Sequence, residues 1–164
     1  MKTLFIGGIK SGKSLNAEKY ILKNSSLTPI YLATTEFIDA EMKKKIDKHK
    51  LQRQSSFKTI EEPINLSKAI SQTSSAVLVE CVSMWINNMM YHNRSRNDIL
   101  DEVELLLALE NDVVFVLNDV SCSVVSENKL VREFVNLNGE VASLLALGCD
   151  EVYNVVAGIA VRIK

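Results

Sequence analysis

Apolar positions along this chain fall into two alternating patterns. Short continuous runs occur at residues 2–6 (KTLFI), 29–33 (PIYLA), 76–80 (AVLVE) and 112–118 (DVVFVLN, apolar between its ends). Uninterrupted runs of this length fit strands of a parallel sheet covered on both faces. Between them lie segments whose apolar residues recur with helical spacing, predicting helices over 13–23, 38–50, 83–91, 97–109 and 127–147. A further helix is expected near 64–71, opened by Pro63. The tail, EVYNVVAGIAVRIK, reads as two strands around a tight turn at Ala157-Gly158. Strands alternating with helices predict an α/β domain with a mostly parallel sheet, closed by an antiparallel C-terminal hairpin.

With 164 residues, two prolines and no repeat, low-complexity tract or linker, a single domain spanning 1–164 is expected. The net charge of −1 supplies no global field toward nucleic acid or anionic membrane. Lys43, Lys44, Lys45, Lys48 and Lys50 cluster locally and read as the solvated face of the 38–50 helix. No apolar run approaches the roughly 20 residues of a membrane helix. The opening MKTLFIGGIK reads as a buried strand rather than a secretory leader, its apolar run being short and followed by no small-residue cleavage site. Cys81, Cys122 and Cys149 are far apart and odd in number, with neither a CxxC pair nor zinc spacing. Free thiols and a cytoplasmic location are expected.

The most specific chemistry lies at residues 7–14. The sequence GGIKSGKS satisfies GxxxxGK[ST] and sits between the first strand and the first helix. Its residues are Gly7, Gly8, Ile9, Lys10, Ser11, Gly12, Lys13 and Ser14. Glycines let backbone N–H groups wrap a phosphate, and the helix that starts there adds the positive end of its dipole. Lys13 is placed to reach the β- and γ-phosphates, and Ser14 to ligate Mg2+. The motif predicts a P-loop, RecA-like three-layer fold that binds a nucleoside triphosphate. Such a site needs an acid for Mg2+ or its waters. Glu80 and Asp119 both follow apolar strands and fall at the edge where open α/β folds bind ligands. Glu80 is the preferred choice, and Asp119 remains open.

On a helix over 38–50, Met42, Ile46 and His49 share the apolar face. His49 therefore points inward, either as a hydrogen-bonded core residue or as a nucleophile or acid/base group. Arg53, one turn further, is placed to hold a phosphate. His92, in MMYHNRSRND, reads as an exposed loop residue without a role.

Beyond the P-loop, the stretches YLATTEFIDAEMKKKIDKHK (31–50), FKTIEEP (57–63), LVECVSMWINNMM (78–90) and DEVYNVVAGIAVRIK (150–164) occur in one order. Together with residues 7–14 they resemble the bifunctional adenosylcobinamide kinase / adenosylcobinamide-phosphate guanylyltransferase family of cobalamin biosynthesis, over more than half of the chain. The resemblance implies two reactions, with ATP and GTP as substrates. A nucleotide γ-phosphate passes to the aminopropanol hydroxyl of adenosylcobinamide. Then a histidine takes GMP from GTP and delivers it to adenosylcobinamide phosphate. By position that histidine is His49, with Lys13 as its catalytic companion. The resemblance also places Ala33, Thr34, Thr35, Lys50, Leu51, Gln52, Arg53, Glu61 and Glu80 at the nucleotide, and it implies corrinoid substrates and a homotrimer.

Two stretches depart from the family pattern. In LNDVSCSVVS, Asp119 stands where the family has Glu, Ser121 and Ser123 where it has Gly, and Ser126 where it has Pro. In Gly139-Glu140-Val141-Ala142-Ser143, Glu140 stands for an Arg and Ala142 for an amide. Residues 92–100 also look shortened. These changes touch the acceptor side and leave two other readings in view: a P-loop kinase for another small molecule, with His49 structural, and a nucleotide-binding regulatory protein without turnover.

Overall fold

The structure is a computed structural model that describes residues 1–36, 56–121 and 125–164. Strands β1 (Lys2–Gly7), β2 (Ile30–Ala33), β3 (Lys58–Glu61), β4 (Val77–Glu80), β5 (Val113–Asn118), β6 (Glu151–Val156) and β7 (Ile159–Arg162) form one seven-stranded sheet in the order β3-β2-β4-β5-β1-β6-β7. Every pairing is parallel except β6 with β7, which is the predicted antiparallel hairpin. Helices α1 (Lys13–Asn24), α2 (Leu66–Ser71), α3 (Val82–Tyr91), α4 (Arg96–Ala108) and α5 (Lys129–Gly148) complete the described elements. The expected helix at 38–50 lies outside the described residues.

The continuous apolar strands work as expected, because alternate side chains serve two cores. On one face Leu4, Val77, Val79, Val113, Phe115 and Leu117 meet Trp85, Ile86, Ile99, Val103, Val141 and Leu145 from α3, α4 and α5. On the other, Phe5, Leu78, Val114 and Val116 meet Ala17 and Ile21 of α1. A strand flanked by helices on both sides has no polar face to show, so its sequence loses the period of two. The Phe5 and Tyr153 rings stack on the α1 side with centroids 4.8 Å apart, and the Tyr20 hydroxyl donates to Glu151 at 2.7 Å.

The structure adds one element and corrects one expectation. Strand β3 was not anticipated: KTIE is four residues long with a single apolar side chain, and an edge strand with three exposed positions carries no hydrophobic run. Pro63 does not open α2. The helix starts at Leu66 with Asn65 as its N-cap residue, and the Glu62 carboxylate takes the N–H groups of Ile64 and Asn65 in the turn before it. The other boundaries fall within two residues of expectation, and α4 starts at Arg96 because Ser95 and Asp98 form a capping box.

Candidate active site

The C-terminal ends of β1, β2, β4 and β5 define one edge of the sheet, and residues 7–14 cross it between β1 and α1. Gly7 ends β1 at a point where a side chain has no room. A Cβ there would lie 2.4 Å from the Val155 carbonyl oxygen of β6. The loop then turns through a Ser11 N–H to Gly8 carbonyl bond of 3.1 Å, with Lys10 at φ 60° and Gly12 at φ 92°. Helix α1 begins at Lys13 with no side-chain cap and no acidic residue in its first turn. Its first N–H groups and the positive end of its dipole are thus left for an external anion. The Lys13 side chain is buried and folds back over the loop, its Nζ donating to the Gly8 carbonyl at 3.2 Å. The buried Ser11 hydroxyl has no hydrogen-bond partner among the described residues. A loop that holds an ammonium and an unsatisfied hydroxyl against open backbone amides is built for phosphate oxygens.

Glu80 ends β4, and its Oε1 accepts a 2.8 Å hydrogen bond from the Ser14 hydroxyl. This places the preferred acid at the first turn of α1, where the sequence required it. The pair offers only hard oxygen donors, a hydroxyl and a carboxylate, a set that suits Mg2+ completed by water and phosphate oxygens. Asp119 stands at the end of β5, where its N–H donates to the Gly7 carbonyl at 2.9 Å, but its Oδ1 accepts the Ser121 N–H at 3.0 Å and so closes its own loop. The Glu80 carboxylate thus meets the cradle at Ser14, whereas Asp119 meets it through its backbone N–H at Gly7.

The resemblance-derived positions divide into three groups. Ala33 is level with both Glu61 and Glu80 in the register of β3, β2 and β4, so these three residues reach the same edge. Thr34 is fully buried, and its hydroxyl exchanges hydrogen bonds of 2.9 Å with the N–H and carbonyl of Cys81. Its own N–H donates to the Glu80 carbonyl at 3.0 Å. Thr34 thus clamps the end of β2 to the residue that follows Glu80. Thr35 is half-buried just beyond it. His49, Lys50, Leu51, Gln52 and Arg53 lie outside the described residues. His92 is an exposed C-cap residue of α3, as expected, and its Nε2 lies 2.9 Å from the Glu36 carboxylate.

Four supporting residues carry no motif in the sequence: Asn88, and a group of three around the end of β5. Asn88 is fully buried in α3 and donates its amide to the Thr34 carbonyl at 2.6 Å and the Pro63 carbonyl at 3.1 Å, tying the ends of β2 and β3 to one helix. The signal was present: Asn88 lies three residues after Trp85, on the apolar face of its helix. A second group links Ser83, Asn118 and Asn138. Ser83 Oγ donates to Asn138 Oδ1 at 2.8 Å, Asn118 N–H donates to Ser83 Oγ at 3.0 Å, and Asn138 Nδ2 donates to the Asn118 carbonyl at 3.0 Å. It fixes the end of β5 relative to α3 and α5. Burial pushes the Cys81 thiol, next to Glu80, up to about 11, and the Glu80 charge adds to the shift.

This fold and cradle define a P-loop nucleotide-binding protein. Solved structures agree on the fold: the flagellar accessory protein FlaH of Methanocaldococcus jannaschii matches 99% of this chain and 77% of its own with a TM-score of 0.53 at 13% identity. A KaiC-like protein of Pyrococcus horikoshii matches 93% of this chain and 69% of its own with a TM-score of 0.51 at 14% identity. The family model for cobinamide kinase / cobinamide phosphate guanyltransferase matches residues 3–163, and the chain belongs to that family. Its relatives include the bifunctional adenosylcobalamin biosynthesis protein CobU of Salmonella typhimurium strain LT2, 34% identical with both chains covered in full, and CobU of Escherichia coli K12, 32% identical with the same coverage. The bifunctional adenosylcobalamin biosynthesis protein CobP of Pseudomonas aeruginosa is 31% identical over all of this chain and 98% of its own.

Proposed function

We propose that one nucleotide-binding domain catalyses both steps: phosphorylation of the aminopropanol hydroxyl of adenosylcobinamide, then transfer of GMP from GTP to the phosphate so formed. The observation that carries the nucleotide chemistry is the meeting of Ser14 and Glu80 at 2.8 Å beside Lys13. Family membership carries the choice of acceptor. In the first step the cradle amides and Lys13 hold the triphosphate and offset the charge on the transferring group, while the corrinoid hydroxyl attacks the γ-phosphorus and a nucleoside diphosphate leaves. Ser14 and Glu80 would hold Mg2+, which when bound neutralises charge on the phosphate oxygens.

In the second step the neutral imidazole of His49 attacks the α-phosphorus of GTP, forming a P–N bond as the P–O bond to pyrophosphate breaks. A phosphate oxygen of the acceptor then displaces the imidazole, which returns unchanged. Dividing the transfer in this way replaces one difficult displacement by two easier ones. Lys50, Leu51, Gln52 and Arg53 follow His49 in sequence and are assigned to the guanine nucleotide, as are Ala33, Thr35 and Glu61 at the sheet edge. A cytoplasmic homotrimer completes the reading. Apolar side chains left exposed on the hairpin, Val156, Ile159, Val161 and Ile163, support subunit association.

The test is the intact mass of the purified protein after incubation with GTP and Mg2+, with His49→Ala in parallel. The expected result is an acid-labile adduct of one GMP on the parent protein and none on the variant. GTP bound without an adduct would overturn the guanylyl-transfer step and leave a kinase or a binding protein.

A further inference from the structure

The hairpin turn between β6 and β7 lies against the phosphate cradle, far from it in sequence. Ala157 and Gly158 both have positive φ, 50° and 85°, as a tight two-residue turn requires. The Gly158 N–H donates to the Ser11 carbonyl at 2.7 Å. Asn16, in the first turn of α1, donates its side-chain amide to the Gly12 carbonyl at 2.9 Å and to the Gly158 carbonyl at 3.1 Å. The two backbones touch: a Cβ on Gly12 would sit 3.0 Å from Gly158 Cα.

The consequence follows from the planarity of the peptide unit. A carbonyl and the N–H of the next residue point in opposite directions. Pinning the Ser11 carbonyl to the turn aims the Gly12 N–H away from the turn, and pinning the Gly12 carbonyl through Asn16 does the same for the Lys13 N–H. These are two of the donors a phosphate would meet. The Gly12 carbonyl already receives the Asn16 backbone N–H at 3.1 Å, so the side-chain bond is not needed to start the helix. Its added effect is to join the helix start to the hairpin.

We infer that the Ala157-Gly158 turn is a working part of the phosphate cradle and that Asn16 is a positioning residue for triphosphate binding, acting through Gly12 and Gly158. The inference rests on the assignment of residues 7–14 as the cradle. Its test is the affinity for a fluorescent GTP analogue with Mg2+ in the parent protein, Asn16→Leu, Asn16→Gln and Lys13→Ala, read together with thermal midpoints. Leu keeps the heavy-atom branching of Asn and donates nothing. Asn16→Leu is expected to bind about tenfold more weakly, the effect of losing roughly one hydrogen bond of preorganisation. Its midpoint should stay near that of the parent, and Asn16→Gln should recover part of the affinity.

Hydrogen exchange on the parent protein gives a second readout. Adding GTP should protect residues 156–160 together with 8–14. An Asn16→Leu affinity within twofold of the parent, or protection at 8–14 without protection at 156–160, would overturn the inference. Lys13→Ala separates the two layers: if it too binds like the parent, the cradle assignment itself falls. Should Asn16→Leu fail to fold, Gly158→Ala carries the same comparison, since its new methyl meets nothing within 4 Å while its φ of 85° disfavours the turn.

Discussion

Ser14 and Glu80 are 66 positions apart and meet at 2.8 Å, so the chemistry proposed for this site rests on single side chains at strand and helix ends. Glu80→Gln keeps the shape and removes the charge. We expect turnover to fall by about 10²–10³-fold, the usual scale for losing one electrostatic contribution at a reacting phosphate, and the Mg2+ titration to move to higher concentration. An unchanged Mg2+ titration would remove Glu80 from the metal site. The neighbouring Cys81 gives a second residue-scale test. Burial raises its thiol to about 11 and that of Cys149 to about 12, both above the free value. Both thiols should resist iodoacetamide at pH 8 in the folded protein and react once it is unfolded. The linkage has a definite sign. Folding favours the neutral thiol, so this contribution is complete below about pH 9 and is lost as pH rises toward 11. The denaturant midpoint should fall across that window, and less steeply in Cys81→Ala.

At the scale of elements, long buried segments were legible and short exposed ones were not. Strands β1, β4 and β5 announce themselves because both their faces are covered, and α5 because one apolar stripe runs along its 20 residues. Strand β3 has no such signature. Its place comes from pairing with β2, which the sequence of β3 alone does not encode. The asparagines in the helices show the same limit. Asn138 is buried at 2% exposure, and its meaning emerges only when α5 packs beside Ser83 and Asn118. Replacing it by Ala leaves the Ser83 hydroxyl and the Asn118 carbonyl short of partners. The expected cost is about 1–3 kcal/mol in urea unfolding, with loss of turnover from a misplaced end of β5. Wild-type stability in Asn138→Ala would show that the network is dispensable.

Across the whole molecule, the C-terminal hairpin has two faces with different fates. Tyr153 and Val155 pack toward α1, whereas Val156, Ile159, Val161 and Ile163 remain exposed at 54–67%. For the homotrimer proposed above, with this face at the subunit contact, Ile159→Lys with Val161→Lys should give a monomer in light scattering while far-UV circular dichroism is unchanged. An unaltered molecular mass would remove this face from the interface. The alternation of strand and helix, the phosphate loop with its required spacing, the closing hairpin and the position of two acids, Glu80 and Asp119, after apolar strands were all contained in the sequence, because each rests on local periodicity, a short motif or the end of a buried run. The family was legible as well, through the order of its separate motifs. Only the tertiary structure decided that Glu80 rather than Asp119 meets Ser14, that Thr34 and Asn88 hold strand ends, and that Gly158 lies on Gly12. Those contacts join residues distant in sequence, and no local preference of the chain specifies them; the order of strands in the sheet does.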